Sequence, residues 1–235
     1  MIAVVDQRMS PLMQRSLWEH GFSVIPLPAF SRLSEPVASH PDMLIFPFEG
    51  TLFVHKEYYK EAHSVVDEIV ALSGHSLLLI ETEVSPKYPH DVALNLFCLG
   101  SNIFGKANTV PKTLRDYAQQ RGYGIINTKQ GYAKCSTVLL GNNAIVTADR
   151  SIQAAADKIG TDVLFVSASG VALPPYAYGF LGGASGYCNN TVYFCGDITL
   201  HPDAQSITSF CQKYNRTIVC LSDEPLTDMG SILFL

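Results

Sequence analysis

The chain has 235 residues, 47% hydrophobic and 16% charged, against the roughly 25% charged residues of an ordinary soluble domain. That balance excludes a disordered chain. Sixteen basic and twenty-one acidic residues with no polybasic run lack the electrostatic footprint of a nucleic-acid binder. No apolar run reaches the ~18 residues of a spanning helix, so no membrane partner is expected.

The N-terminal MIAVVDQRMS has neither a basic region nor a small-residue cleavage site, unlike a secretory signal. Cysteines 98, 135, 188, 195, 211 and 220 form no CxxC pair and no metal-ligand spacing. The expectation is a cytosolic protein with reduced, mostly buried thiols, no metal and no cofactor.

In chain order, Met1–Asp6 reads as a strand, followed by a helix opened by Ser10-Pro11 and stopped by Gly21, then the apolar FSVIPL. The hairpin MLIFPF-EG-TLFVH leads into a helix with Ala62, Val65, Val66, Ile69 and Val70 on one face, stopped by Gly74 and followed by HSLLLI. ALNLFCLGSNIFGK, a helix opened by Pro111 and stopped by Gly122, and YGIIN repeat the scheme. So does STVLL-GNN-AIVTAD, with a helix opened by Asp149, striped by Ile152, Ala155, Ala156 and Ile159, stopped by Gly160 and followed by TDVLFV. SGYC-NN-TVYFCG, Pro202, the stripe Ile207, Phe210, Cys211 and Tyr214, then Asn215 and RTIVCL make the last copy. Gly and Asn are the residues that tolerate the left-handed conformation closing a helix. The chain ends on GSILFL, a strand with no helix after it. Joined to MIAVVD, it supplies the hairpin missing from the first copy.

The repeat predicts one domain of five ββαβ units, roughly 1–27 plus 229–235, 43–81, 93–127, 137–166 and 187–221, with the C-terminal strand closing the first unit. Such a ring, a five-fold pseudosymmetric α/β propeller, leaves no sheet edge unpaired. The competing architecture is an open three-layer α/β sheet, which gives the two termini no reason to complement one another.

The five-unit plan, together with Gly131–Leu139 (GYAKCSTVL) and Asp228–Phe234 (DMGSILF), resembles the pentein superfamily of guanidino-group-modifying enzymes: arginine deiminases, amidinotransferases and dimethylarginine hydrolases. In those enzymes the equivalent segments carry a His-x-Asp motif and a late cysteine nucleophile. Here they read Tyr132-Ala133-Lys134, and no cysteine follows Cys220. The resemblance therefore implies an uncharacterised branch that binds a small polar ligand of amino-acid or guanidino type in an axial pocket, without the usual His/Cys hydrolase chemistry. One alternative is an enzyme with a rearranged mechanism using Cys135 or Lys134 with Asp42 or Asp228. The other is a protein- or ribosome-binding module like the non-enzymatic ribosomal anti-association factor, which shares the pentein plan.

In such a ring the loops entering each unit's first strand converge. They carry the expected ligand-binding residues Asp42, Asn95, Lys134, Cys135, Ser185 and Asp228. Cys135 and Lys134 are the candidate catalytic groups, a thiol beside an amine. The plain alternative packs Cys135 as a small hydrophobe and leaves Lys134 solvated. No histidine lies in the equivalent segments to serve as base; His40-Pro-Asp42, at one of the entrances, is the histidine pair to follow. The 20-residue connection 167–186, rich in Gly, Pro and aromatics, is expected to wall the pocket with Tyr176, Tyr178 and Phe180, or else to pack on itself or on a second copy. Gly182-Gly183 within it suits a hinge or a close backbone approach. A homo-oligomer is left open.

Overall fold

The computed structural model describes residues 1–235. Turn chemistry sets its strand pairing. Glu49-Gly50 and Asn189-Asn190 hold positive φ at both central positions, the conformation that lets a two-residue turn join right-twisted antiparallel strands. The first turn joins β3 (Ile45–Phe48) to β4 (Thr51–His55), and the second joins β12 (Ser185–Cys188) to β13 (Thr191–Phe194). Gly100-Ser101 links β6 (Phe97–Leu99) to β7 (Asn102–Gly105), and a longer turn links β9 (Thr137–Leu139) to β10 (Ala144–Thr147).

Each second strand runs into a helix and returns parallel to itself. In the first copy β1 (Ile2–Asp6) precedes α1 (Pro11–Glu19) and pairs with β2 (Ser23–Leu27). Then β4, α3 (Lys56–Ser73) and β5 (Ser76–Ile80) follow the same course. So do β7, α4 (Lys112–Gln120) and β8 (Gly124–Asn127), and β10, α5 (Arg150–Asp157) and β11 (Asp162–Phe165). β13, α6 (Ala204–Lys213) and β14 (Thr217–Cys220) complete the set. Residues 21, 74, 122, 160 and 215, the stops read from the sequence, all have positive φ.

The result is a mixed α/β fold of five three-stranded sheets, each with an antiparallel first pair and a parallel second pair. The fifth is completed across the termini. β15 (Leu233–Phe234) pairs with β1, Ala3 opposite Phe234 and Val4 opposite Leu233, while Ile2 and Leu235 exchange backbone hydrogen bonds of 2.8 and 3.0 Å. β12 lies against both β9 and β15. The second strands β1, β4 and β10 are buried along their whole length, as continuous apolar runs require.

Helix faces bury as their periodicity directs, with small departures. Ala62, Val66 and Ile69 are buried, whereas Val65 and Val70 are half-buried. Ile152, Ala155 and Ala156 are buried but Ile159 is 41% exposed, because α5 ends at Asp157 and the chain turns before that position can face the core. Asp149 caps α5 by accepting from the amides of Ser151 and Ile152. No helix is long and apolar enough to cross a membrane.

Candidate functional site

Five short segments precede the five first strands and bring polar side chains or backbone groups to one place. Asp42 lies in α2 (Pro41–Leu44), a single turn before β3. Asn95 precedes β6, Lys134–Ser136 precede β9, Gly182 and Gly183 precede β12, and Asp228–Ser231 precede β15. All six residues expected from the sequence are buried.

Five of the six are knitted by hydrogen bonds. Asn95 Oδ1 accepts from the amides of Lys134 and Cys135 at 2.8 and 3.2 Å, and its Nδ2 donates to Cys135 Sγ at 3.1 Å. The Cys135 thiol faces Asp42. Lys134 Nζ donates to Ser231 Oγ at 2.9 Å, and that hydroxyl donates onward to Asp42 Oδ2 at 2.7 Å. Ser185 Oγ donates to Gly182 O at 3.0 Å. The sixth, Asp228, is held by backbone: it accepts from the amides of Phe180 at 2.8 Å and Gly230 at 3.0 Å. Ser231 has a φ of 69°, a left-handed backbone that a non-glycine residue keeps only where its surroundings hold it. The sequence passed over Ser231.

Gly182-Gly183 serves close approach. A β-carbon on Gly182 would stand 2.4 Å from the backbone N and O of Thr137, and one on Gly183 2.0 Å from Asp228 Oδ1.

His40 is the residue whose role the sequence did not reach. It is 1% exposed, yet neither ring nitrogen has a hydrogen-bond partner. Its Nδ1 lies 3.9 Å from Asp228 Oδ1 and its Nε2 3.8 Å from Asp6 Oδ2. Cys135 joins this group, since donor atoms of His40, Cys135 and Asp228 all lie within 4.8 Å of one another. The pairing with Asp42 suggested by the His40-Pro-Asp42 tripeptide is replaced by Asp228, because residues two apart at a helix start project to different sides.

His40, Cys135 and Asp228 line one cavity of about 300 Å³, walled by Val37, Met43, Tyr132, Leu173, Tyr176, Ala177, Tyr178 and Phe180. The connection 167–186 supplies five of those wall residues and is anchored by an Ala172–Thr227 bridge. A second cavity of about 180 Å³ meets Asp42 and Lys134 among apolar residues that include Phe46, Leu94 and Leu233. Asn95 and Ser185 reach neither cavity and act as struts between the segments.

Burial sets the protonation of this cluster. It drives the Lys134 amine below its usual range, partly countered by Asp42, Cys135 and Asp228. It drives the Cys135 thiol well above its range, helped by the charges of Asp42 and Asp228, and the Asp228 carboxyl upward. Asp6 goes the other way. Burial raises it, but the Arg8 fork and the Ser39 hydroxyl, 2.7 Å away, outweigh that and hold it low.

A family model described as "Family of unknown function (DUF6873)" matches residues 4–233. The chain belongs to that family. No curated protein sequence matches it. Among solved structures it is similar to a dimethylarginine dimethylaminohydrolase in an adduct with 4-chloro-2-hydroxymethylpyridine: TM-score 0.57, 8% identity, 94% of this chain and 92% of that one covered. A cysteine-to-serine mutant of the Pseudomonas aeruginosa dimethylarginine dimethylaminohydrolase, complexed with citrulline, gives a TM-score of 0.56 at 10% identity over 94% and 91%. SxtG, an amidinotransferase of the saxitoxin pathway from Microseira wollei, gives 0.56 at 12% identity over 92% and 76%. At such identities the shared property is the fold, the pentein-like one that the repeat resembles.

Proposed function

We propose that this chain binds a small, flat, cationic or zwitterionic ligand of guanidino or amino-acid type in the 300 Å³ cavity, and that the five sheets stand as blades of an α/β propeller whose axis passes through it. The observation that carries this reading is the convergence of three polar groups, His40, Cys135 and Asp228, on a single cavity with aromatic walls. The contacts of β12 with both β9 and β15 and the pairing across the termini support the ring. Asp228 supplies a carboxyl that a cation entering the cavity returns to its ionised form, and the Tyr132 and Phe180 rings, 5.9 Å apart at their centroids, offer faces for a planar cation. Arginine, agmatine, citrulline and simple amino acids form the test panel, read by calorimetry. Saturable binding that falls at least tenfold in Asp228→Asn supports the reading. No binding by any member, or binding indifferent to that substitution, overturns it.

A second reading is favoured by His40. A free imidazole within reach of the Cys135 thiol is the proton acceptor that nucleophilic use of that thiol needs. Asp228 Oδ1 lies 3.9 Å from Nδ1 and Asp6 Oδ2 3.8 Å from Nε2. Under this reading His40→Asn slows alkylation of Cys135 while leaving exposed Cys220 unchanged. Equal rates in the two proteins would reject it.

A further inference from the structure

We propose that His40 Nδ1, Cys135 Sγ and an oxygen of Asp228 form a site for one divalent transition-metal ion of the zinc class, with a fourth coordination position open to the cavity. This goes beyond the organic ligand proposed above and does not depend on it. The sequence expects no metal because the three donors come from distant segments with no ligand spacing; the fold alone assembles them.

Four observations carry the site. First, the donor atoms lie within 4.8 Å of one another, with His40 Nδ1 already 3.9 Å from Asp228 Oδ1. Bond lengths of about 2.0–2.3 Å to zinc place tetrahedral donors roughly 3.5 Å apart, a contraction within the reach of side-chain torsions. Second, His40 is 1% exposed with both nitrogens unpartnered, a state that a buried imidazole leaves on ligation.

Third, an outer shell of the kind that orients metal ligands is in place. Asp6 stands 3.8 Å from the far nitrogen, Nε2, and is itself fixed by Arg8 and Ser39; a small turn of the ring on ligation would bring Nε2–H within hydrogen-bond distance of that carboxylate. Asn95 Nδ2 donates to Cys135 Sγ, a bond that strengthens once the sulfur is anionic. Phe180 and Gly230 amides hold Asp228, and a β-carbon on Gly230 would fall 2.1 Å from His40 Cβ, so the imidazole is seated against backbone. Fourth, the donor set of imidazole, thiolate and carboxylate suits zinc or cobalt rather than magnesium or calcium.

The charge balances. Cys135 gives up its proton to solvent and, with ionised Asp228, presents two negative charges to a doubly positive ion, while His40 ligates neutral. The open position would give onto the cavity that Tyr132 and Phe180 help to wall and take water or the amine or carboxylate of a cavity ligand.

The test uses the full chain, reduced, stripped with a chelator and titrated with Co(II). The expected result is one equivalent bound with a sulfur-to-cobalt charge-transfer band and the strong visible absorption of a tetrahedral site, both abolished by Zn(II). Cys135→Ser loses the charge-transfer band, His40→Asn weakens binding at least tenfold, and Cys220→Ser changes neither. Should a site variant fail to fold, the wild-type chain decides: Zn(II) protects Cys135, and not exposed Cys220, from iodoacetamide, read peptide by peptide. A spectrum without the sulfur band, a band that survives in folded Cys135→Ser, or alkylation of Cys135 unaffected by Zn(II) overturns the site. Failure of the metal titration leaves the calorimetric ligand test untouched, and the converse holds.

Discussion

The Cys135 thiol donates to both oxygens of Asp42, at 3.2 and 3.0 Å. A carboxylate there opposes ionisation of the sulfur, on top of the burial that already raises the thiol. Asp42→Asn removes the charge and keeps the shape. Alkylation of Cys135 at neutral pH, followed by peptide mass, is expected to accelerate severalfold, because losing that charge lowers the thiol's pKa. An unchanged or slower rate would mean that access, not ionisation, governs this sulfur.

Lys134 is the one buried amine of the cluster, bonded through Ser231 to Asp42. Removing it leaves the Ser231 hydroxyl without its amine donor and takes a positive group from beside Asp42. Lys134→Met is expected to lower unfolding stability by about 3–5 kcal/mol, measured in urea. Lys134→Met combined with Asp42→Asn should recover part of that loss, with a coupling above about 1 kcal/mol. Strictly additive losses would show that the two charges do not sense each other.

Much of this architecture is legible in the amino-acid sequence. Each copy carries its own punctuation: Gly74 and Asn215 end helices in the left-handed region, and Glu49-Gly50 and Asn189-Asn190 close hairpins there, so strand order followed from local chemistry. The phase of the repeat put Asp42, Asn95, Lys134, Cys135, Ser185 and Asp228 near one another. It did not say which side chains face a cavity. Asn95 and Ser185 satisfy backbone and sulfur instead, and Lys134, read as solvated in the plain alternative, is buried. The sequence singles out His40 with Asp42, but its nearest carboxylates, Asp6 and Asp228, come from opposite ends of the chain. Only tertiary packing carries that information.

His55, at the end of β4, is buried and pushed down to about 4 by that burial. The unfolded imidazole protonates near 6.5, so below that pH the unfolded state binds a proton that the folded state refuses. Stability is therefore full above about pH 7 and falls as pH drops from 6.5 towards 4, by about 3 kcal/mol in all. The comparison with His55→Gln isolates this group from Asp228, whose raised carboxyl acts with the opposite sign over carboxylate pH. Parallel pH profiles for the two proteins would refute the assignment.

β15 is two residues long but stands on the edge of buried β1. Deleting residues 232–235 removes the buried Ile232 and both exchanges with Ile2, leaving β1 with a bare edge. A fall in Tm of about 10 °C or more is expected, together with loss of soluble yield. A truncated protein with an unchanged melting curve would contradict the structural role given to the closing strand.

His40, Cys135 and Asp228 are contributed by three stretches of chain that meet only when separate sheets have docked. No single repeat can hold them together, so recognition at this point is tied to the docking of the sheets that carry them. Whatever occupies the cavity then slows every amide, near or remote, that exchanges only through an opening that dismantles the site, adding RT ln(1 + [L]/Kd) to that opening energy. Occupancy becomes readable from the most protected amides of the protein, far from the atoms that make the contact.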